Sequence, residues 1–282
     1  MNIIAIRIIT DSTCDLSVED QRRLDIIVVP LTVHFSDASY LDGVEITNEQ
    51  FYDKLEGCKT LPTTSQPPPE AFTEVFKKYL DAGDEIVGIF ISGEISGTCN
   101  SARIAQKTLA SGSLHIVDSR TATMGLALLL SEAAKHRDAG FTAAQIAAHI
   151  STLTKKIRFF AAINTLKYLR KGGRVSAATA IFGELLEMKP IMSMRDGLIL
   201  SVGKARGMTA AINAILAKVL ADLPDLRYGT AFAHSCAPDL VQKAIACMKE
   251  PLKLVDWLIC NGGSVIGTYT GRGVVGFAYI AE

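Results

Sequence analysis

Apolar and polar positions follow one another along the chain in blocks whose period switches between two and about 3.6 residues, the mark of strands alternating with helices. Ile3 to Ile9 predicts a first strand, which turns at Asp11-Ser12-Thr13 into a polar helix over about Leu16 to Leu24. Ile26 to Val33, rich in β-branched residues, predicts a second strand. Thr47-Asn48-Glu49-Gln50 has the form of a capping box and starts a short helix with Phe51 and Leu55 on one face, ending near Gly57. Phe72, Phe76 and Leu80 recur at helical spacing up to Gly83, and Ile86 to Ile91 reads as a buried strand. A helix over Cys99 to Leu109, a strand over Leu114 to Val117 and two apolar helices, Thr123 to Asp138 and Thr142 to Leu153, complete this half. The last of them is introduced by a second capping box, Thr142 to Gln145.

Lys155-Lys156-Ile157-Arg158 is the candidate domain crossing. Beyond it the pattern predicts a strand at Phe159 to Ile163 and a short helix at Thr165 to Arg170, ended by Lys171-Gly172-Gly173-Arg174. Arg195-Asp196-Gly197 lies between Ile191 to Met194 and Leu198 to Val202, a hairpin signal of the Asp-Gly type. Helices at Thr209 to Leu220 and Pro238 to Met248 flank a strand at Thr230 to Ala233. The stretch Gly262 to Gly273, dense in glycine and hydroxyls, predicts a loop that wraps a ligand headgroup before a last strand, Val274 to Ile280. The fold class expected is therefore α/β in two domains, residues 1–157 with a parallel sheet and residues 158–282, each a sheet flanked by helices.

Composition narrows the function. The 282 residues carry 29 basic and 29 acidic side chains, and this balance, with no basic run, argues against a nucleic-acid face and against charge-driven membrane binding. The apolar start is short and interrupted by Arg7, so it reads as a strand and not a signal peptide, and no run is long enough to span a bilayer. Six cysteines without a close pair predict free thiols and a cytoplasmic protein. Five histidines without paired spacing give no metal site.

Two stretches carry candidate chemistry. Leu61 to Pro69 places three adjacent hydroxyls, Thr63, Thr64 and Ser65, between prolines that stiffen the backbone on both sides, as a ligand clamp requires. The local alternative is that Thr63 to Gln66 caps the following helix. Ser92 to Thr98 lies between a strand and a helix, where glycine permits close approach and unpaired N–H groups face an anion. With Asp11-Ser12 and Asp118-Ser119, three strands deliver hydroxyls or carboxylates at their C-terminal ends, where open parallel sheets place their ligand crevices. Asp11, Ser12 and Asp118 equally suit plain helix caps.

Taken together these fragments resemble the DegV family of two-domain fatty-acid-binding proteins, nearly end to end. The carriers are Thr10-Asp11-Ser12-Thr13-Cys14-Asp15-Leu16, Val29-Pro30-Leu31, Pro62 to Pro67, Ser96-Gly97-Thr98, Val117-Asp118-Ser119, Leu169 to Ser176, Lys189-Pro190-Ile191, Lys204-Ala205-Arg206-Gly207 and the closing glycine-rich stretch. The resemblance implies a long-chain fatty acid in a tunnel between the domains, its carboxylate held by Thr64 and Ser96, with Ser65, Gly97 and Thr98 beside them. It implies no cofactor and no turnover in this chain, because in several relatives a separate fatty-acid kinase makes the acyl phosphate. Arg174 and Arg206 match arginines associated with the headgroup or its phosphorylated form; the local alternatives are a helix C-cap for Arg174 and a surface charge for Arg206.

The chain departs from the family in its last stretch, with Tyr269 where histidine is usual and Arg272 where proline is usual. A phenol donates to a carboxylate but does not become a cation near neutral pH. Arg272 is the expected replacement for the missing charge. Ser92-Gly93-Glu94 replaces the usual Ser-Ser-Gly, and Glu94 is expected to point away from an anion. The rival classes are a nucleotide-dependent enzyme and a serine or cysteine hydrolase, but the chain has no G-x-G-x-x-G turn, no G-x-x-x-x-G-K-[ST] loop and no G-x-S-x-G elbow.

Overall fold

The computed structural model describes residues 5–175 and 187–282. The first half runs β1 (Ile6–Asp11), α1 (Val18–Arg23), β2 (Ile26–Val29), β3 (Thr32–His34), β4 (Ser39–Leu41), α2 (Asn48–Gly57), β5 (Thr63–Ser65), α3 (Pro69–Leu80), β6 (Glu85–Phe90), α4 (Thr98–Leu109), β7 (Leu114–Asp118), α5 (Thr123–Asp138) and α6 (Ala143–Leu153). The second runs β8 (Ile157–Ala162), α7 (Lys167–Gly172), β9 (Met188–Arg195), β10 (Leu198–Arg206), α8 (Met208–Leu220), β11 (Thr230–His234), α9 (Pro238–Met248), β12 (Trp257–Asn261), α10 (Ser264–Thr270) and β13 (Val275–Ile280).

Strand alternation sorts the cores. In the parallel sheet β2-β1-β6-β7, Ile9, Ile86 and Phe90 face α3 and α4 with Phe72, Phe76 and Cys99, while Ile8, Val87 and Ile89 face α5 and α6. In the mixed sheet β10-β9-β8-β13-β11-β12, Phe232 and Phe277 face α8 and α9, while Ala231, Ala233 and Ala278 turn to α5. The layers are thus helices, sheet, helices, sheet, helices. Because α5 touches both sheets, it is buried on every side from Thr123 to Leu130, and its sequence is accordingly apolar all round. Strand membership changes at β8: the parallel sheet is built from residues 6–118 and the mixed one from 157–280.

Three expectations need correction. The run Ile26 to Val33 is two strands, because the Pro30 nitrogen cannot donate to a ladder and the chain leaves the parallel sheet there for a small antiparallel one, β4-β3-β5. The hydroxyl loop around Thr64 is itself β5 of that sheet, with Thr64 opposite Val33, and α3 is capped by Pro68 without any side-chain bond, so the capping alternative falls away. The stretch Gly262 to Gly273 is no loop, since Ser264 to Thr270 form α10. Its first N–H groups are satisfied from far away: Gly263 N donates to Asp15 (2.8 Å), and Ser264 donates to Asp42 through both N (2.8 Å) and Oγ (2.7 Å). Distant carboxylates do the work of a local cap. Strand β12 carries no strong alternation and was not foreseen. Both capping boxes form as predicted.

Candidate functional site

A slot lies between the two large sheets, walled by the C-terminal ends of the parallel strands on one side and by β8, β9 and α10 on the other. It holds ≈ 770 Å³ of space free of protein atoms, part of it open to solvent. Phe159, Ala161 and Ile163 present alternate positions of β8 and its end, and Met192 and Met194 alternate positions of β9. Leu31, Ile91, Ala122 and Leu169 add to the apolar wall. The polar side chains on it are Thr64, Ser96, Thr123, Arg174, Tyr269 and Thr270, and no carboxylate lines it among the described residues.

Four of these polar groups, Thr64, Ser96, Arg174 and Tyr269, lie where the slot meets its neighbouring clefts, and Thr123 and Thr270 lie within it. Ser96 and Arg174 also line a cleft of ≈ 750 Å³ beside Glu94 and Gly173, and Thr64, Arg174 and Tyr269 line another of ≈ 680 Å³ beside Lys171 and Tyr168. Arg174 borders all three spaces. The loops that carry Thr64 and Ser96 touch, since any Cβ at Gly97 would collide with the Gln66 amide, which itself bonds Ser101 Oγ at 2.9 Å.

Thr64 and Ser96 each have a hydroxyl partner, whereas Thr270 Oγ1 donates to Ile266 O. Thr64 Oγ1 lies 2.7 Å from the Tyr269 phenol oxygen, and Ser96 Oγ lies 2.8 Å from Thr98 Oγ1 while accepting from Thr98 N. A pair of hydroxyls owns two hydrogens and spends one between them, so each pair keeps one hydrogen to donate outward. Two such donors on the wall of one apolar slot suit the two oxygens of a carboxylate. The Tyr269 ring is fixed from below by α7, where a side chain at Gly172 would collide with it, and from above by the Arg174 guanidinium at 4.8 Å from its centroid. Arg174 also donates to Gly172 O (2.6 Å), so it closes the end of α7 and faces the slot at once. Ser65 Oγ bonds His34 Nε2 (2.8 Å) on the small sheet, and Thr98 supports Ser96 without lining the slot.

Two expected contributors sit elsewhere. Arg206 ion-pairs with Glu187 at 2.8 Å with four-fifths of its side chain exposed, at the far end of β10 from Ile199, which does line the slot. Seven residues of strand put about 23 Å between them. Arg272 is neutralised by α2 instead of facing an anion, at 2.9 Å from Asp53 and 2.7 Å from Glu56. Glu94 is exposed, and its stem lies against Gly197. Asp11, Ser12 and Asp118 act as local and inter-loop caps: Asp11 accepts from Thr13 and Ile91 N, Ser12 Oγ from Leu31 N, and Asp118 from Gly93 N and Arg120 N. Burial pushes the Asp11 carboxyl up to about 6 and the Asp15 carboxyl well above the usual range, against the pull of their hydrogen bonds.

The family described as "Uncharacterised protein, DegV family" matches residues 5–282. The chain belongs to the DegV family. A DegV domain-containing protein of Clostridium perfringens is 32% identical over 283 residues, 99% of each chain. A structure described as fatty acid binding of a DegV family protein from Thermus thermophilus superposes with a TM-score of 0.90 at 32% identity, covering 98% of this chain and 100% of that one. DegV from Bacillus subtilis, described as a fatty acid binding protein, gives 0.86 at 26% identity over 99% and 100%. The layered α/β fold is thus the DegV fold.

Within that DegV framework, the sequence reading missed the apolar walls. Phe159-Ala161-Ile163 and Met192-Met194 carry the period-two signal of a strand face, but nothing local says whether that face meets a helix or a space. Val265, Ile266, Tyr269 and Thr270 share one face of α10; that face became legible only once the stretch was known to be helical. Leu169 to Val175 of the family stretch lie in the described residues, and Ser176 lies outside them. Among the described residues no cluster of His, Cys, Asp or Glu is arranged to hold a metal, no helix is long and apolar enough to cross a membrane, and the six cysteines are unpaired.

Proposed function

We propose that this chain binds one long-chain fatty acid in the slot between its two sheets, as a carrier with no turnover of its own, and presents the carboxylate to a separate fatty-acid kinase. The observation that carries the reading is the make-up of the slot: walls that are mostly apolar and free of carboxylates among the described residues, with Ser96, Thr64, Tyr269 and Arg174 where it meets the two neighbouring clefts. Each buried methylene contributes about 0.8 kcal/mol of transfer free energy, so a tail of a dozen or more dominates the affinity even after association costs. The free hydrogens of the Thr64–Tyr269 and Ser96–Thr98 pairs fix the carboxylate, and Arg174 neutralises it without an exclusive salt bridge. A headgroup held at a mouth is open to a second protein, which is what presentation requires. The relatives described as fatty-acid binding support the same reading, and the division into two domains near residue 157 follows the change of sheet. Residues 1–157 then carry both hydroxyl clamps, and residues 158–282 carry Tyr269, Arg174 and most of the β wall.

The test is direct. Protein purified without added lipid is denatured, extracted and examined by mass spectrometry; about one equivalent of fatty acid per chain is expected, and protein that neither carries nor takes up fatty acid overturns the proposal. Addition of ATP and a fatty-acid kinase then yields acyl phosphate only if the carboxylate is presented.

A further inference from the structure

The hairpin of β9 and β10 covers the slot without being fully part of the sheet. Its pairing with β8 ends at Ser193, opposite Phe160, so Met194 to Leu198 overhang the sheet edge and reach across to the first half of the chain. There the tip is held by two side chains that belong to neither strand: Ser92 Oγ donates to Gly197 O at 2.9 Å, and the Arg120 guanidinium donates to Asp196 O at 2.6 Å. Asp118 organises both posts, accepting from Gly93 N at 3.2 Å and Arg120 N at 2.9 Å. The tip is a two-residue turn with positive φ at both Asp196 (51°) and Gly197 (83°). It seats closely, because a Cβ at Gly197 would collide with Ser92 Oγ.

Beyond this latch the hairpin is built to bend. The β9–β10 register slips between Ser201 and Gly203, leaving Val202 as the extra residue of a bulge, which interrupts the ladder and bends the strand there. Between bulge and tip, the side chains that touch the slot are Met192, Met194 and Ile199, and methionine repacks with little penalty when a neighbour moves.

Resting on the fatty-acid reading, we propose that the β9–β10 hairpin is the gate through which the acyl chain enters and leaves, and that Ser92 and Arg120 are positioning residues that latch it shut. Neither residue lines the slot, so they act on the passage of the ligand and not on its binding. Opening beyond Ser193, beside the bulge, lifts Met194 and Ile199 off the tail while Met192 stays paired with Ala161 of β8, and so opens the side of the slot. A long apolar chain then slides in sideways instead of threading past the polar mouth.

The experiment follows exchange of cis-parinaric acid, a fluorescent fatty acid, by stopped flow with the wild type and with Ser92→Ala and Arg120→Ala. Loss of one latching hydrogen bond should raise association and dissociation rates together by about fivefold while Kd stays constant. A second variant, Ser92→Cys/Gly197→Cys, joins the tip to its post by a disulfide whose position is verified by peptide mapping. Oxidation should slow exchange at least tenfold, and a reductant should restore it. Kd rising with an unchanged association rate, or exchange at the wild-type rate in the oxidised double variant, overturns the gate. Failure of the wild type to bind cis-parinaric acid at all overturns the fatty-acid reading instead.

Discussion

The Ser96 hydroxyl is held by Thr98, two residues away at the start of the helix that follows it, whereas the Thr64 hydroxyl is held by Tyr269, 205 positions along the chain. Both arrangements leave one donor hydrogen for the slot, but they rest on different foundations. The loop that leads to Ser96 leaves β6 at Ile91, whose N–H donates to the buried Asp11. Tyr269 rides on α10, whose start is held by Asp15 and Asp42. The difference teaches that one half of the proposed clamp is a local motif standing on the parallel sheet, and the other exists only when the two halves of the chain are docked.

Breaking the long-range half at its root has the largest expected effect. Asp42→Ala leaves the N–H and hydroxyl of Ser264 buried without an acceptor, which should cost on the order of 3 kcal/mol in denaturant unfolding. The same variant should lower fatty-acid affinity through Tyr269 while Ser96 keeps its geometry. On the local side, the raised Asp11 carboxyl makes a pH prediction. A folded-state value of about 6 against an ordinary 3.8 means that the folded protein holds this proton more tightly than the unfolded chain. The associated stability is present below about pH 4 and is lost as pH rises through 6, on the order of 3 kcal/mol. Asp11→Asn should remove that part of the slope between pH 4 and 7 in chemical denaturation, whatever constant offset the substitution adds.

Binding distinguishes the two halves more finely. Thr64→Val and Ser96→Ala each remove a donor to a charged oxygen, and each should weaken fatty-acid binding by about 10–100-fold in titration calorimetry. The smallest effect falls on the supporting partners: Tyr269→Phe and Thr98→Val should each lower affinity by about fivefold, the worth of one neutral hydrogen bond. If the comparison holds, Tyr269→Phe also reduces the coupling between ligand binding and overall unfolding, and Thr98→Val does not.

Much of this was legible in the residues. The hydroxyls of Thr64 and Ser96 stood out because prolines, glycines and strand ends frame them locally, and the alternation of strands and helices fixed the fold class. Tyr269 was identified by its place in a family pattern, but its helix was hidden, because Gly263 and Ser264 have no local cap and borrow Asp15 and Asp42 across more than 200 residues. Arg206 matched the family pattern as Arg174 did, and Arg272 was the expected replacement for the missing histidine charge; what separates both from Arg174 is the carboxylate each finds, Glu187 for the first and Asp53 with Glu56 for the second. Such ion pairs are set by tertiary placement and leave no periodic trace. The apolar slot left even less, since an alternating strand reads the same whether its inner face packs on a helix or borders a space.

The account rests on a carboxylate meeting Thr64 and Ser96 together, and a crystal structure of the protein saturated with palmitate tests that most directly. The predicted result is a carboxylate within hydrogen-bonding distance of both hydroxyls, with the tail running between β8 and the ends of the parallel strands beneath Met192 and Met194. A headgroup bound away from either hydroxyl, or a slot that stays closed at saturating palmitate, would contradict it.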